Sequence, residues 1–204
     1  MVDAGLERYR TSRHEAIHAL SALHSGHGVS SIDVDQGETV LSWAYSHHEL
    51  TALVHRDRAH AIHIVTGVVA ACVAPAADER GPVNEGDRAV VDKWRAAWTC
   101  TTPTWADLYC QAGRLVRAWL REPTTAIAIG RLTVALYAAD GPVEGARLEQ
   151  LLRQATAPAV QTTTPQPYST HIERNIYVGS THRDRGRAPY SRINPRFFVA
   201  GATR

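Results

Sequence analysis

The amino-acid sequence predicts an α+β protein, mostly helical, in which a helix carrying an HExxH motif and a small β-hairpin precede a helical bundle. Apolar residues recur at helical spacing through most of residues 1–156. Two short strand-like stretches near the N-terminus flank a Gln-Gly pair, as in a hairpin. After residue 156 the composition shifts toward threonine, proline and arginine. We therefore expect one domain over residues 1–156, followed by a Thr/Pro-rich linker and a basic, extended C-terminal arm over residues 157–204.

The motif helix is predicted over residues 12–25, and the Ser-Gly-His-Gly segment that follows is typical of a helix end. Ile17 and Leu20 belong to an apolar stripe, which predicts that the helix is half buried. Ser12 and Glu15 also fit the S-x-x-E capping box. One interpretation of Glu15 is therefore that it only closes the first helical turn.

The remaining elements follow in order from spacing and turn residues. The hairpin is predicted with strands at 29–34 and 39–45, and a helix is predicted from residue 49 to about 73, where Pro75 would end it. Residues 75–86 predict a loop with several acidic side chains. Further helices are predicted at residues 87–98, 105–120 with Thr104 as N-cap, 124–139 and 143–154.

Composition restricts the class of protein. The chain has 204 residues, 44% of them hydrophobic and 21% charged, as is ordinary for a soluble globular protein. No uninterrupted apolar run reaches the roughly 18 residues that cross a bilayer, and residues 1–10 lack the apolar core of a secretory signal. We therefore expect a cytoplasmic protein without a membrane partner. Cys72, Cys100 and Cys110 are odd in number and lack a CxxC spacing, which predicts buried, reduced thiols.

The segment HEAIH at residues 14–18 is the most informative motif. On a helix, His14 and His18 lie one turn apart on the same face, so their ring nitrogens can converge on one tetrahedral zinc ion. Glu15 beside them can deprotonate a zinc-bound water. The motif therefore indicates a metallopeptidase with Zn²⁺ as cofactor. The alternative is a chance pattern in a chain that contains 11 histidines.

A catalytic zinc needs a third protein ligand, and spacing does not select it. Eleven side chains have suitable chemistry: His24, His27, His47, His48, His55, His60, His63, Asp78, Glu79, Glu85 and Asp87.

Residues 13–23, RHEAIHALSAL, resemble the peptidase domain of the M41 family, the protease half of the FtsH-type AAA proteases, in which the motif reads HEAGHALVA. In that family a short hairpin, a long helix and an N-D-L-x-x-A segment follow, and residues 84–92, NEGDRAVVD, sit at the corresponding point. Residues 120–152 are similar to the closing helical hairpin of the domain. The resemblance covers roughly residues 8–155 in element order, and only the HEAIH segment is specific residue by residue.

The resemblance implies that His14, His18 and Asp87 are the zinc ligands and that Glu15 is the general base. Since an aspartate at a helix start is commonly a cap or a partner of the helix dipole, Asp78 and Glu79 remain reserve candidates for the third ligand.

Two departures from the family pattern bear on function. Ile17 stands where the family has glycine, and no segment resembles the G-x-x-x-x-G-K-[ST] loop of an ATPase module. We therefore expect a stand-alone zinc endopeptidase that acts on flexible or unfolded polypeptides or borrows a separate ATPase or unfoldase. The alternative is a non-enzymatic M41-like scaffold or assembly protein that uses the C-terminal arm.

Three further features remain interpretations. The strand residues 42–45, with Trp43, favour either binding of an extended substrate by β-augmentation or simple core packing. The arm from residue 171 onward carries seven arginines and two acidic residues, and its Phe-Phe-Val segment at 197–199 favours docking on a neighbouring subunit in a homo-oligomer, with nucleic-acid binding as the weaker alternative. Five histidines are expected to be solvated or hydrogen-bonded rather than a second metal site: His47, His48, His55, His60 and His63.

Overall fold

The computed structural model describes residues 4–42 and 45–158, so the predictions for Trp43 and for nearly all of the C-terminal arm lie outside the described residues. The described part is mostly helical with one small antiparallel sheet, and the predicted fold class is confirmed. Its elements in chain order are α1 (Ala4–His24), β1 (Gly28–Asp33), β2 (Glu38–Ser42), α2 (Leu50–Arg56), α3 (Arg58–Glu79), α4 (Glu85–Ala97), α5 (Trp105–Trp119), α6 (Pro123–Tyr137), β3 (Val143–Glu144) and α7 (Gly145–Thr156).

Helix α1 begins two turns earlier than predicted, so the capping-box interpretation of Ser12 and Glu15 is wrong. Both residues lie inside the helix and are buried. The Ser12 hydroxyl donates to the carbonyl oxygen of Arg8 at 2.8 Å, one turn back along the same helix. A serine that makes this bond has helical backbone angles. A serine at an N-cap instead precedes the first helical turn and has non-helical angles.

The sheet has the strand order β2-β1-β3, and all neighbours are antiparallel. The predicted hairpin is present as β1 and β2, with Gly37 at a positive φ of 62° in its turn. The two-residue strand β3 was missed, because residues 143–144 were assigned to the last helix. The order leaves one side of β2 without a neighbouring strand among the described residues.

The single helix predicted from residue 49 to about 73 is two helices, α2 and α3, separated at Asp57. Helix α3 runs through Pro75 to Glu79, so the prediction that Pro75 ends it is also wrong. A proline lacks the N–H that would bond to the carbonyl four residues earlier, yet the helix tolerates it here within a fully buried stretch. Consequently, Asp78 and Glu79 lie on the last turn of a helix rather than in a loop. By length and composition α3 could cross a membrane, but 78% of its most apolar stretch is buried against the rest of the chain, as in a core helix.

The bundle places the motif helix at its middle. Helix α1 packs against α3, α6 and the hairpin, and α3 packs in turn against α2, α4 and α5. Helix α4 begins next to the end of α3, where the Asn84 side chain accepts a hydrogen bond from the Asp87 backbone N–H at 2.7 Å. Asn84 is therefore the N-cap of α4. The predicted N-cap of α5 is confirmed, since Thr104 forms a capping box with Asp107. The prediction that all three cysteines are buried is wrong, because only Cys72 is buried, while Cys100 is half-buried and Cys110 is exposed.

Candidate metal centre

Helices α1 and α4 bring His14, His18 and Asp87 together at the surface of the bundle. The Nε2 atoms of the two histidines are 3.1 Å apart. Asp87 Oδ1 lies 3.1 Å from His18 Nε2, and Asp87 Oδ2 lies 3.5 Å from His14 Nε2. Ligand atoms at about 2.0–2.1 Å from a tetrahedral ion are about 3.3 Å from one another. The three side chains therefore form a group that could hold a metal ion.

The ring of His18 is oriented by a backbone carbonyl of α3. His18 Nδ1 lies 2.9 Å from the carbonyl oxygen of Ala71, and because a carbonyl only accepts, Nδ1 must carry the proton. Ala71 is four residues before Pro75, so its oxygen has no helical N–H to bond. The proline inside α3 thus leaves an acceptor for His18, and the neutral ring then presents the lone pair of Nε2 to the site.

The cluster directs ring nitrogens and carboxylate oxygens toward one point, an arrangement that could hold a metal ion. The lone pair of His18 Nε2 faces the second imidazole nitrogen and a carboxylate oxygen, and two acceptors at about 3 Å repel each other unless a proton or a metal ion lies between them. Burial alone would lower the pKa of His14, but the hydrogen bond with Asp87 and the nearby carboxylates outweigh it and raise the pKa. Burial would raise the pKa of Asp87, but the adjacent rings of His14 and His18 outweigh it and lower the pKa. The two shifts favour a protonated His14 beside an ionised Asp87.

Glu15 is buried beside the histidines, with 3% of its surface exposed. Its Oε2 accepts a hydrogen bond from the hydroxyl of Thr39 on β2 at 2.7 Å. Burial raises the pKa of Glu15, although His18, Thr39 and His14 all act against that change. A carboxylate held in this way can take up a proton more readily than one in water.

An open cleft of about 420 Å³ lies over the cluster. Residues 37–41 of the hairpin form one wall, the motif face of α1 forms the floor, and the first turns of α4 form the other wall. Val40 and Val90 line opposite walls, with exposed fractions of 41% and 36%. The cluster is therefore reached from a groove whose walls are partly apolar.

The reserve candidates for the third ligand have other contacts. Arg13 holds Asp78 through two of its nitrogens, with N–O distances of 2.8 to 3.1 Å, in an ion pair that joins α1 to α3. Glu79 Oε1 lies 3.5 Å from Nδ1 of His14, on the side of the ring opposite Nε2. Its position is that of a carboxylate that orients a ligating histidine.

Within residues 4–42 and 45–158, His14, His18 and Asp87 form the single group of three converging metal-ligating side chains. The other histidines make different contacts. The rings of His27 and His63 stack with centroids 6.0 Å apart, and His24 lies against Trp119. Burial, and then the neighbouring His63 and His60, lower the pKa of His27 to about 4.

Three contributors to the site escaped the sequence interpretation: Thr39, Asn84 and the Pro75–Ala71 pair. The N-cap pattern Asn84-x-x-Asp87 was visible in the sequence and would have predicted the start of α4. No local signal predicts the contacts of Thr39 or of Ala71, because each reaches α1 from an element distant in sequence.

No protein-family model, no curated protein and no solved structure matches this chain.

Proposed function

We propose that this chain is a zinc-dependent endopeptidase of the M41-like type, which hydrolyses peptide bonds in flexible polypeptides. One observation carries the proposal: a buried carboxylate, Glu15, adjoins a converging group of two imidazoles and one carboxylate at the floor of an open cleft. A structural ion is enclosed by four protein ligands, whereas three ligands that face a cleft leave a position for substrate chemistry.

The donor set fits zinc. Two neutral imidazoles and one carboxylate form one of the ligand combinations typical of catalytic zinc, and both Nε2 atoms and the Asp87 oxygens converge at suitable distances. When bound, zinc supplies a Lewis acid that polarises a peptide carbonyl and makes water acidic. The backbone oxygen of Ala71 and the carboxylate of Glu79 keep the two rings in position for it.

Glu15 is the proton carrier of the proposed reaction. It takes a proton from the attacking water and delivers it to the amine that leaves. Thr39 donates to Oε2, which fixes the carboxylate while Oε1 remains for the water. The raised pKa of Glu15 favours both steps. A carboxyl group whose pKa lies closer to neutral pH accepts and returns a proton with a smaller free-energy difference.

The wall formed by β2 favours an extended polypeptide as substrate. Its outer side has no neighbouring strand among the described residues, so a peptide can add to it through backbone hydrogen bonds. Such a strand would lie along the cleft above Glu15, with Val40 and Val90 available to apolar side chains. A folded substrate would have to be unfolded first, since only an extended segment can pair in this way.

The test is the substitution Glu15→Gln in the full chain, assayed on casein after zinc loading. The glutamine keeps the shape of the side chain and the contact with Thr39 but cannot accept the proton. We expect the zinc content to be unchanged and kcat to fall by about 100- to 10,000-fold. Full activity in the variant would contradict the mechanism, and zinc binding without cleavage by the wild type would favour a non-enzymatic scaffold.

A further inference from the structure

We infer that Asn84 is a further catalytic residue, whose side-chain amide donates a hydrogen bond to the carbonyl oxygen of the peptide bond under attack. The inference rests on the proposed peptidase function and adds a second group to it. Asn84 lines the cleft on the α4 side, whereas Glu15 is held from the β2 side.

The orientation of the Asn84 amide is determined by its role as N-cap. Its Oδ1 accepts from the Asp87 backbone N–H at 2.7 Å, so its NH2 group must point the other way. That group lies 3.0 Å from Nε2 of His14. Exchanging the oxygen and the nitrogen would place a donor against the N–H of Asp87 and leave the first turn of α4 uncapped. The NH2 group is therefore fixed toward the ligand cluster.

An amide nitrogen has no available lone pair and is not a metal ligand. Because it lies within hydrogen-bond distance of a ligand atom, it borders the region that the ligands surround. Once His14 Nε2 gives its lone pair to a metal ion it no longer accepts from Asn84, so the NH2 group is left to donate to an oxygen that enters this region from the cleft. The neighbouring Glu15 carboxylate can only accept hydrogen bonds while it is ionised, so the two side chains offer opposite chemistry to a substrate.

This pairing matches the needs of peptide hydrolysis. The water oxygen bonds to the carbonyl carbon, the carbon–oxygen π electrons move onto the oxygen, and the proton of the water passes to Glu15. The carbon–nitrogen bond then breaks, and the proton goes to the nitrogen, which gives a carboxylic acid and an amine. Negative charge develops on the carbonyl oxygen, and a donor held by a helix cap stabilises it without having to reorient.

The experiment uses the full zinc-loaded chain with Asn84→Ser. Serine is a good N-cap, so the variant keeps the start of α4 and loses only the NH2 donor. With casein as substrate we expect kcat to fall about 100- to 1,000-fold while KM changes little. A phosphinic peptide with apolar side chains carries a tetrahedral oxyanion, and calorimetry should show its affinity weakened by a similar factor. Zinc content should equal that of the wild type.

Thr104→Ser provides the matched control, because Thr104 caps α5 and lies outside the cleft. It should leave kcat, inhibitor affinity and zinc content unchanged. Unaltered kcat and inhibitor affinity in Asn84→Ser would overturn the inference while the peptidase function stands. Loss of zinc from Asn84→Ser would also overturn it, because Asn84 would then act only by placing Asp87. A zinc-loaded wild type that neither cleaves casein nor binds the phosphinic peptide would refute the peptidase function itself.

Discussion

Two pairs of histidines in this molecule differ in what surrounds them. His14 and His18 lie among carboxylates, with Asp87 within 3.5 Å of both rings, whereas His27 lies beside His63 and close to His60. Burial lowers the pKa of both His14 and His27. At His14 the hydrogen bond with Asp87 and the nearby carboxylates together outweigh burial and raise the pKa. At His27 a backbone hydrogen bond with Ile64 does not offset burial and the neighbouring imidazoles, and the pKa falls to about 4.

The comparison shows that a cluster of histidines does not define a metal site by itself. A carboxylate makes a pair of imidazoles attractive to a cation, and further imidazoles make it less so. The first pair belongs to a group that could hold a positive ion. The surroundings of His27 instead favour its neutral form. His27 follows the end of α1, the helix that carries His14 and His18, and stacks on His63.

The largest expected effect comes from removing the carboxylate. Asp87→Ala should reduce the affinity for zinc by more than the 10- to 100-fold that loss of an outer partner of a ligand typically causes. Competition with a chromophoric chelator measures it. Asp92→Ala, on the same helix but outside the cleft, is the control and should bind zinc like the wild type. Equal zinc affinity in Asp87→Ala and Asp92→Ala would show that the carboxylate beside His14 and His18 does not distinguish this pair from His27 and His63.

The second prediction concerns the neutral pair. The unfolded chain takes up a proton on His27 near pH 6.5, whereas the folded protein resists until about pH 4. The stability from keeping His27 neutral is therefore fully present above pH 6.5 and is lost as the pH falls from 6.5 to 4. At about 1.4 kcal/mol per pKa unit, the loss amounts to at most about 3.5 kcal/mol.

Urea denaturation at several pH values tests this loss. His27→Gln should flatten the dependence of the unfolding free energy on pH between 4 and 6.5. The same substitution at His55, which is exposed, should leave the slope unchanged. Equal slopes in the wild type and His27→Gln would contradict the lowered pKa of His27 in the folded protein.

The smallest expected effect comes from Pro75→Ala. Alanine restores an N–H that bonds to the Ala71 oxygen within α3, so His18 must share its acceptor. Thermal stability should rise, because proline is less favourable than alanine in a helix interior. Zinc affinity should fall by about 10-fold or less, at the lower end for an outer partner of a ligand. An unchanged affinity would show that the freed carbonyl does not matter for His18.

Much of the fold was predictable because it depends on local spacing. The helical periodicities, the hairpin and the N-cap at Thr104 are all encoded within a few residues. The predicted helix boundaries and strands were wrong where contacts between residues distant in sequence determine the structure. Ser12 looks like a cap but bonds back along α1, Pro75 is accommodated within a buried helix, and β3 exists only because residues 143–144 meet β1.

The candidate site divides in the same way. His14, Glu15 and His18 are visible in the HEAIH segment, since a helix alone places them together. Asp87 came from a resemblance and not from spacing, because its approach depends on how α4 packs beside α3. Thr39 and Asn84 were missed for that reason too, since they reach α1 only through tertiary packing.

The most direct test of the account is the metal content of the purified full chain, measured by elemental mass spectrometry beside His14→Ala. The account predicts about one zinc ion per chain in the wild type and a large loss in the variant. A wild type that retains no zinc, even after reconstitution with excess metal, would contradict the central claim that His14, His18 and Asp87 form a zinc site.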